Sequence, residues 1–449
     1  MPTTAKKLTK EELLAKAYKP AQDAMKLHPF YKGKIEVSPK CCVRDFDDFA
    51  IWYTPGVADV CKDIYKNPAQ VFAHTNKANM VAVVSDGTRV LGLGDIGPEA
   101  AIPVMEGKGL LFKYLGGVDA FPICLSTKDP DEIIKTVEYL QPCFGGINLE
   151  DISQPKCFYI LDELRKRCHI PVWHDDQQGT ATVCLAGLIN ALKVVGKRIQ
   201  DVKIVLNGAG AANIRIGTVY MSAGARPGNL IYVDSKGTLH KGRADLKDHR
   251  EKWHMCQITN KDQVIGGAAE ALRGADVLSA ASKPGPDTIK KEWVGEMAKD
   301  SIVFCTANPI PEMWPWDAKE MGVRVMGTGR SDFDNQVNNS LGFPGIFRGT
   351  LDVQAKTITD EMCIAAATEL AKCAEDKGLS ENYIIPKMDE PDIFAREAVA
   401  VGMKAIEQGI AQRVLSRDQL FKVASEAIAR ARKETELKMK SGIIARAPK

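Results

Sequence analysis

The sequence predicts an α/β protein of two domains, an N-terminal parallel-sheet catalytic domain and a Rossmann-type dinucleotide-binding domain, followed by C-terminal helices. Three observations carry this. From Met80 onward, short β-rich runs alternate with helical stretches, the pattern of βαβ units and of a parallel sheet with covered faces. A second such series opens at Val202 with a strand, a glycine-rich turn and a helix. The 449 residues also exceed the usual size of a single domain.

Composition narrows the class of partner. With 45% hydrophobic and 26% charged residues and a net charge of +3, the chain gives no reason to expect nucleic acid or an anionic membrane. A small-molecule substrate is expected instead. The twelve cysteines show no regular metal-ligand spacing, and no signal-peptide core precedes them, so they read as reduced thiols of a cytoplasmic protein. No apolar run approaches the length needed to span a bilayer. The Lys-rich stretch 6–27 contains Glu11, Glu12 and Asp23 but no Arg, a poor transit-peptide composition. It reads as a structural helix at a subunit interface, and a homodimer or higher homo-oligomer is expected.

In chain order, residues 1–45 read as a helical arm whose helix breaks at His28-Pro29-Phe30-Tyr31-Lys32-Gly33. Trp52-Tyr53-Thr54-Pro55-Gly56 then fixes a turn and leaves Tyr53 at the edge of irregular backbone, as readily a packed aromatic as a catalytic acid. In the first domain, residues 46–178, strands are expected at 80–84, 120–125, 146–149 and 170–173, and helices at 99–115, 131–140 and 153–167. Residues 180–195 place Val183, Leu188, Ala191 and Val195 at helical spacing and carry the chain into the second domain, residues 179–350. There, strands are expected at 202–206, 230–233, 276–280, 301–305 and 323–326, with a helix at 211–222. The remainder, 351–449, is helical with an interruption at Tyr383-Ile384-Ile385-Pro386, and is expected to pack back on the first domain.

Chemistry follows from where these strands end. Ligands of open parallel sheets gather beyond the carboxyl ends, and Glu150-Asp151 and Asp175-Asp176 follow two successive strands. Four carboxylates on one edge repel and raise one another's pKa values, for which a divalent cation is the natural compensation. Oxygen-only donors favour Mg²⁺ or Mn²⁺ over Zn²⁺. The bland alternative is that Asp175 and Asp176 cap the following helix. The segment 86–97, rich in glycine, opens the helix holding Lys108 and Lys113; both can be surface charges, but the apolar context of Lys108 makes it the better candidate for a base. The turn Gly208-Ala209-Gly210-Ala211-Ala212-Asn213 keeps two of the three fingerprint glycines, between a strand and a helix, with Asp234 ending the next strand. NAD or NADP is the expected cofactor, its pyrophosphate at the helix N-terminus and its ribose on Asp234. Asp234 disfavours a 2′-phosphate, whereas Ser235, Lys236 and Arg243 are placed to accommodate one. Asn308-Pro309 is equally a turn and a ligand contact.

Together these motifs resemble the malic enzymes, specifically the shorter form of prokaryotes and some protists, from about Tyr53 to about Gln412. The resemblance rests on Tyr53-Thr54-Pro55-Gly56, Asp86-Gly87 through Leu91-Gly92-Leu93-Gly94, Glu106-Gly107-Lys108, Glu150-Asp151, Asp175-Asp176-Gln177-Gln178-Gly179-Thr180, the Gly208-x-Gly210 turn, Asn308-Pro309 and Asn338-Asn339. It implies oxidative decarboxylation of L-malate to pyruvate and CO₂ with reduction of NAD(P). Tyr53 would be the general acid and Lys108 the general base, with Asp175 an auxiliary carboxylate. Glu150, Asp151 and Asp176 would hold the metal, and Asn308 and Asn338 the substrate carboxylates. Two departures stand out. Gln178 occupies a place where the shorter enzymes commonly have His, and Arg89 resembles the substrate-binding Arg of the longer, animal-type enzymes, either a clamp on the malate C1 carboxylate or a surface ion pair. The expected chemistry has a neutral Lys108 take the C2 hydroxyl proton, the cation act as a Lewis acid during decarboxylation, and Tyr53 protonate C3. The competing classes are a non-decarboxylating or amino-acid dehydrogenase, which would survive a chelator, and a silent NAD-binding scaffold, which would have no use for Lys108, Tyr53 and the acidic cluster.

Overall fold

The computed structural model describes residues 10–448. It contains two parallel sheets. The first comprises β1 (Met80–Ser85), β2 (Asp119–Cys124), β3 (Gly146–Leu149) and β4 (Val172–His174), in the order β2-β1-β3-β4. The second comprises β5 (Ile204–Asn207), β6 (Leu230–Asp234), β7 (Gly237–Thr238), β8 (Val277–Ala280), β9 (Ile302–Cys305) and β10 (Val325–Thr328), in the order β10-β9-β8-β5-β6-β7. Only the two-residue β7 runs antiparallel, against β6. The strands are continuous apolar runs because both faces are covered: β3, β5, β8 and β9 are buried at every position. Each expected strand is present, displaced by at most two residues at either end.

The helices that position the site and cover it include, in chain order, α1 (Lys10–Tyr31), α2 (Pro98–Gly116), α3 (Pro130–Leu140), α4 (Lys156–Arg167), α5 (Asp175–Val195), α6 (Ala211–Ser222), α7 (Phe343–Asp352), α8 (Asp360–Glu375), α9 (Ile393–Glu407) and α10 (Arg417–Ser441). Residues 6–9 of the expected first helix lie outside the described residues. Where they begin, α1 runs through Pro29 rather than stopping at His28; the break comes at Lys32 and Gly33, both with positive φ. Helix α5 starts at Asp175 and not at Thr180, so both aspartates occupy its first turn, where the helix dipole favours negative charge. By length and composition α5 could cross a membrane, contrary to the sequence expectation, but 72% of that window is buried inside the protein, against α6 and α8. Its apolarity is that of a core helix joining the two sheets.

The C-terminal helices cover α2. Phe112 packs on Phe343 and Phe347 of α7, with ring centroids 4.6 and 5.2 Å apart, and the Trp173 ring meets Phe347 at 6.2 Å. Gly116 and Gly117 let the backbones of α7 and α10 approach; a Cβ would sit 2.8 Å from the Pro344 carbonyl at one and 2.7 Å from Ala427 at the other. The aromatic cluster is worth about 3–5 kcal/mol per ring removed, enough to fix α7 against the helix that carries Lys108.

Candidate active site

Both sheets have one place where chain order reverses, and the candidate residues lie there. In the first sheet β1 is flanked by β2 and β3, so the loops after β1 and β3 diverge and leave a crevice at their carboxyl ends. The register aligns Val84 with Leu149 and Leu149 with His174, so Ser85, Glu150 and Asp175 fall on the next rung. The loops after β3 and β4 therefore deliver acidic groups to one point. Carboxylate oxygens of Glu150, Asp151 and Asp176 all lie within 4.8 Å of one another. Asp151 is held at φ 54°, the left-handed region, which costs a non-glycine residue about 1–2 kcal/mol. Its carbonyl accepts from Arg89 N at 2.9 Å and its own N–H donates to Asp176 Oδ2 at 2.9 Å, which pins the strained residue.

Lys108 reaches this cluster from α2. Only 7% exposed, its Nζ donates to Asp175 Oδ2 at 2.6 Å and lies 3.1 Å from Glu150 Oε1. The ammonium also sits 4.2 Å from the centre of the Phe343 ring. Burial pushes the Lys108 pKa down, but the Asp175 and Glu150 charges outweigh it, so the group is held protonated. The sequence reading ties a neutral amine to burial and a cation acting together; among the described residues Lys108 is the buried counter-ion of the acids. Burial raises Glu150 well above the usual carboxylate range, opposed by Lys108 and reinforced by the other three acids. The same burial raises Asp151, Asp175 and Asp176, the last drawn back by Lys108, the Asp151 N–H and Arg89. Four acids share one buried cation, and Asp151 Oδ2 has no hydrogen-bond partner among the described residues. An all-oxygen, under-compensated donor set of this kind fits Mg²⁺ or Mn²⁺.

Neither aspartate of the junction caps α5 through its side chain. Asp175 instead folds back along its own helix and accepts from Trp173 Nε1 at 3.1 Å. A Cβ on Gly179, one turn on, would sit 2.1 Å from Asp175 Oδ1, which is why glycine stands four residues after this acid. Gln178 Oε1 accepts from His174 N at 3.0 Å. Lys113 pairs with Asp119 at 2.9 Å, the surface role open to it from sequence. Arg89 is exposed at the rim, its Nη1 3.4 Å from the Leu91 carbonyl.

In the second sheet the reversal falls between β5 and β8, and the Gly208 turn leaves β5 there. Gly208 has φ 101°, and a Cβ would meet the Ala281 carbonyl at 2.5 Å; at Gly210, the N-cap of α6, a Cβ would meet nothing within 4 Å. That open space flanks the helix N-terminus, the geometry a phosphate needs. Ala209, Ala211 and Ala212 complete the turn. Asn213, fully buried, donates to the carbonyls of Asn207 and Gly208, both at 2.8 Å, and so locks it. Close helix–strand approach, the usual task of the third glycine, falls one turn later to Gly217, where a Cβ would lie 1.8 Å from the Tyr232 hydroxyl. Asp234 ends β6, clamped at 3.0 Å on each oxygen by Arg243, whose Nε holds Asp245 at 2.8 Å. The Arg243 fork is thus spent on carboxylates and is not free for a 2′-phosphate, which corrects the sequence reading.

The two halves meet at the glycine-rich loop. A Cβ on Gly92 would lie 2.2 Å from Pro284 Cγ and 2.8 Å from the Asn308 carbonyl. Asn308 and Asn338 stand on either side of Gly329: a Cβ there would be 2.8 Å from Asn308 Nδ2, and Asn338 Nδ2 donates to its carbonyl at 2.7 Å. Tyr53 is not drawn in. It is 74% exposed and shares none of the contacts of the buried cluster. The sequence reading missed several supports. Glu312, wholly buried, accepts from Ser282 N at 2.8 Å and Ala307 N at 3.1 Å, and so shapes the Asn308 loop. Lys156 with Thr88 holds Asp86 beneath the glycine-rich loop. His174, also wholly buried, has its pKa pushed down to about 4 by burial.

Residues 32–165 match the model of the malic enzyme N-terminal domain, and residues 177–319 and 323–410 that of the malic enzyme NAD binding domain. The chain belongs to the malic enzyme family. It is 48% identical to the bifunctional malic/malolactic enzyme of Bacillus subtilis, over 89% of this chain and 96% of that one. With the NAD-dependent malic enzyme of Geobacillus stearothermophilus it shares 50% identity, covering 85% of this chain and 78% of that one. Among solved structures, the malic enzyme of Entamoeba histolytica superposes over 100% of this chain and 94% of its own, with a TM-score of 0.96 and 48% identity.

Proposed function

We propose that the chain oxidatively decarboxylates L-malate to pyruvate and CO₂ with reduction of NAD or NADP, at a divalent-cation site formed by Glu150, Asp151 and Asp176. The observation that carries the reading is the convergence of these three carboxylates beside buried Lys108. When bound, the cation supplies a Lewis acid next to the substrate oxygens and the dinucleotide supplies the hydride acceptor. Lys108 is positioned by Asp175 and the Phe343 ring to hold or take the proton of the C2 hydroxyl. Its ammonium is paired with Asp175 and Glu150; a cation held by the carboxylates would weaken that pairing and leave Lys108 available as the base. Arg89 clamps one carboxylate of malate at the rim, and Asn308 and Asn338 orient the substrate from the second sheet. The turn from Gly208 to Asn213, with Asp234, holds the cofactor.

Tyr53 is assigned as the acid that protonates C3, delivered by a second copy of the chain. Its segment exposes Phe46, Phe49, Ile51, Trp52 and Tyr65 together, more apolar surface than an isolated turn region leaves bare, and this supports a homodimer whose arm covers the neighbour. We divide the chain into an arm (1–45), a catalytic domain (46–178), a dinucleotide domain (179–350) and covering helices (351–449).

The reading is tested by malate-dependent formation of NADH or NADPH together with CO₂. Chelation should abolish both products and Mn²⁺ restore them, and Asp176→Asn should lower turnover by at least two decades at the same Mn²⁺ concentration, because it deletes charge from a hard-cation site at constant volume. Chelator-resistant turnover sinks the metal assignment. Arg89→Ala should raise KM for malate roughly tenfold or more, with little change in KM for the dinucleotide, as expected for loss of a charged bond to the substrate's fixed end. An unchanged malate KM returns Arg89 to the surface.

A further inference from the structure

His174 ends β4 with no exposed surface, and neither ring nitrogen has a hydrogen-bond partner among the described residues. A ring serving only to fill space would be replaced by an apolar one at no loss, since burying unsatisfied polar atoms is unfavourable. Its Nδ1 lies 3.7 Å from Asp176 Oδ2, the same oxygen that accepts the Asp151 N–H at 2.9 Å. That gap is a short rotation from the N–H···O length of about 2.9 Å.

We propose that His174 is a positioning residue for Asp176, its neutral imidazole donating Nδ1–H to Asp176 Oδ2 when the carboxylate takes up its ligating orientation. This rests on the assignment of Asp176 as a metal ligand. With Oδ2 fixed from two sides, by the Asp151 amide and by the imidazole, Oδ1 is left to face the cation. A ligating carboxylate without such support samples other rotamers and binds more weakly, and loss of one supporting hydrogen bond lowers metal affinity roughly ten- to a hundredfold.

The test is Mn²⁺ binding, read by the EPR signal of free Mn²⁺ in the absence of substrates, together with thermal unfolding of the metal-free protein. His174→Phe and His174→Leu remove the donor, one keeping the ring volume and one reducing it; His174→Asn retains an N–H near the position of Nδ1. Both apolar variants should bind Mn²⁺ at least tenfold more weakly while His174→Asn stays within about threefold of wild type. An apolar variant that folds and binds Mn²⁺ as wild type does overturns the proposal, as does equal loss in all three. Asp176→Asn is the control that separates the two ideas: unweakened Mn²⁺ binding there removes the metal assignment itself, whatever the His174 variants do.

Discussion

Lys108→Ala is expected to abolish malate oxidation, by roughly two to four decades, the range for loss of a positioned acid–base group, while leaving Mn²⁺ binding equal to wild type or tighter. The second half of this result is the diagnostic one. In the metal-free protein the Lys108 ammonium occupies the field of Glu150 and Asp175, at 3.1 and 2.6 Å. Removing it takes away a competitor for a divalent cation and a counter-ion in the same stroke. Breaking a buried pair from one side leaves uncompensated charge and costs about 3–5 kcal/mol, so the metal-free variant should unfold at a visibly lower temperature than wild type and regain more of its Tm on adding Mn²⁺. A base needed for oxidation also predicts a fully expressed primary isotope effect with C2-deuterated malate, because hydride transfer has become limiting. Weaker Mn²⁺ binding in Lys108→Ala would mean that the lysine shapes the metal site rather than competing for it.

Much of this arrangement is legible in the chain because it depends on strand ends. Apolar runs 146–149 and 172–174 end where side chains can no longer be buried between helices, so the acids that follow them necessarily reach the sheet edge. Lys108 is legible for the complementary reason, a charge flanked by the apolar runs Val104-Met105 and Leu110-Leu111-Phe112, which can be buried only if something pairs with it. Its protonation is not legible. Sequence indicates burial, which lowers a lysine pKa, but only the folded geometry brings Asp175 close enough to reverse the sign. Arg243 fails for a similar reason. A basic residue after β6 reads as available until the structure shows each donor group engaged by Asp234 and Asp245. The supports Glu312, Gly217 and His174 carry no sequence signal that separates them from ordinary core or turn residues. Glu312 and Gly217 act against Ser282 and Tyr232, contacts that spacing does not encode, and the burial of His174 is set by the helices that cover the end of its strand.

Tyr53→Phe should reduce pyruvate formation by a similar two to four decades but through a different step, since the acid is needed at C3 after CO₂ has left. Oxidation of malate is partly retained, the deuterium effect at C2 shrinks, and solvent exchange into pyruvate C3 is lost. The exposure of Tyr53 adds a prediction that a single-chain site does not make. It is 74% exposed, amid the bare side chains of Phe46, Phe49 and Trp52, and its hydroxyl is therefore free to enter a neighbour's site. Lys108→Ala and Tyr53→Phe then damage opposite sides of a shared site. In a heterodimer of the two, one site combines both lesions and the other combines the two intact groups. Unfolding and refolding an equal mixture should therefore restore activity to about a quarter of wild type, half the dimers being mixed and each carrying one intact site, although each variant alone is nearly inactive. Recovery demands exchange of subunits, so mixing without refolding should restore it slowly or not at all. If the refolded mixture stays as inactive as its components while size-exclusion chromatography shows dimers, Tyr53 reaches the site of its own chain by movement of the segment that carries it, and the shared-site assignment fails.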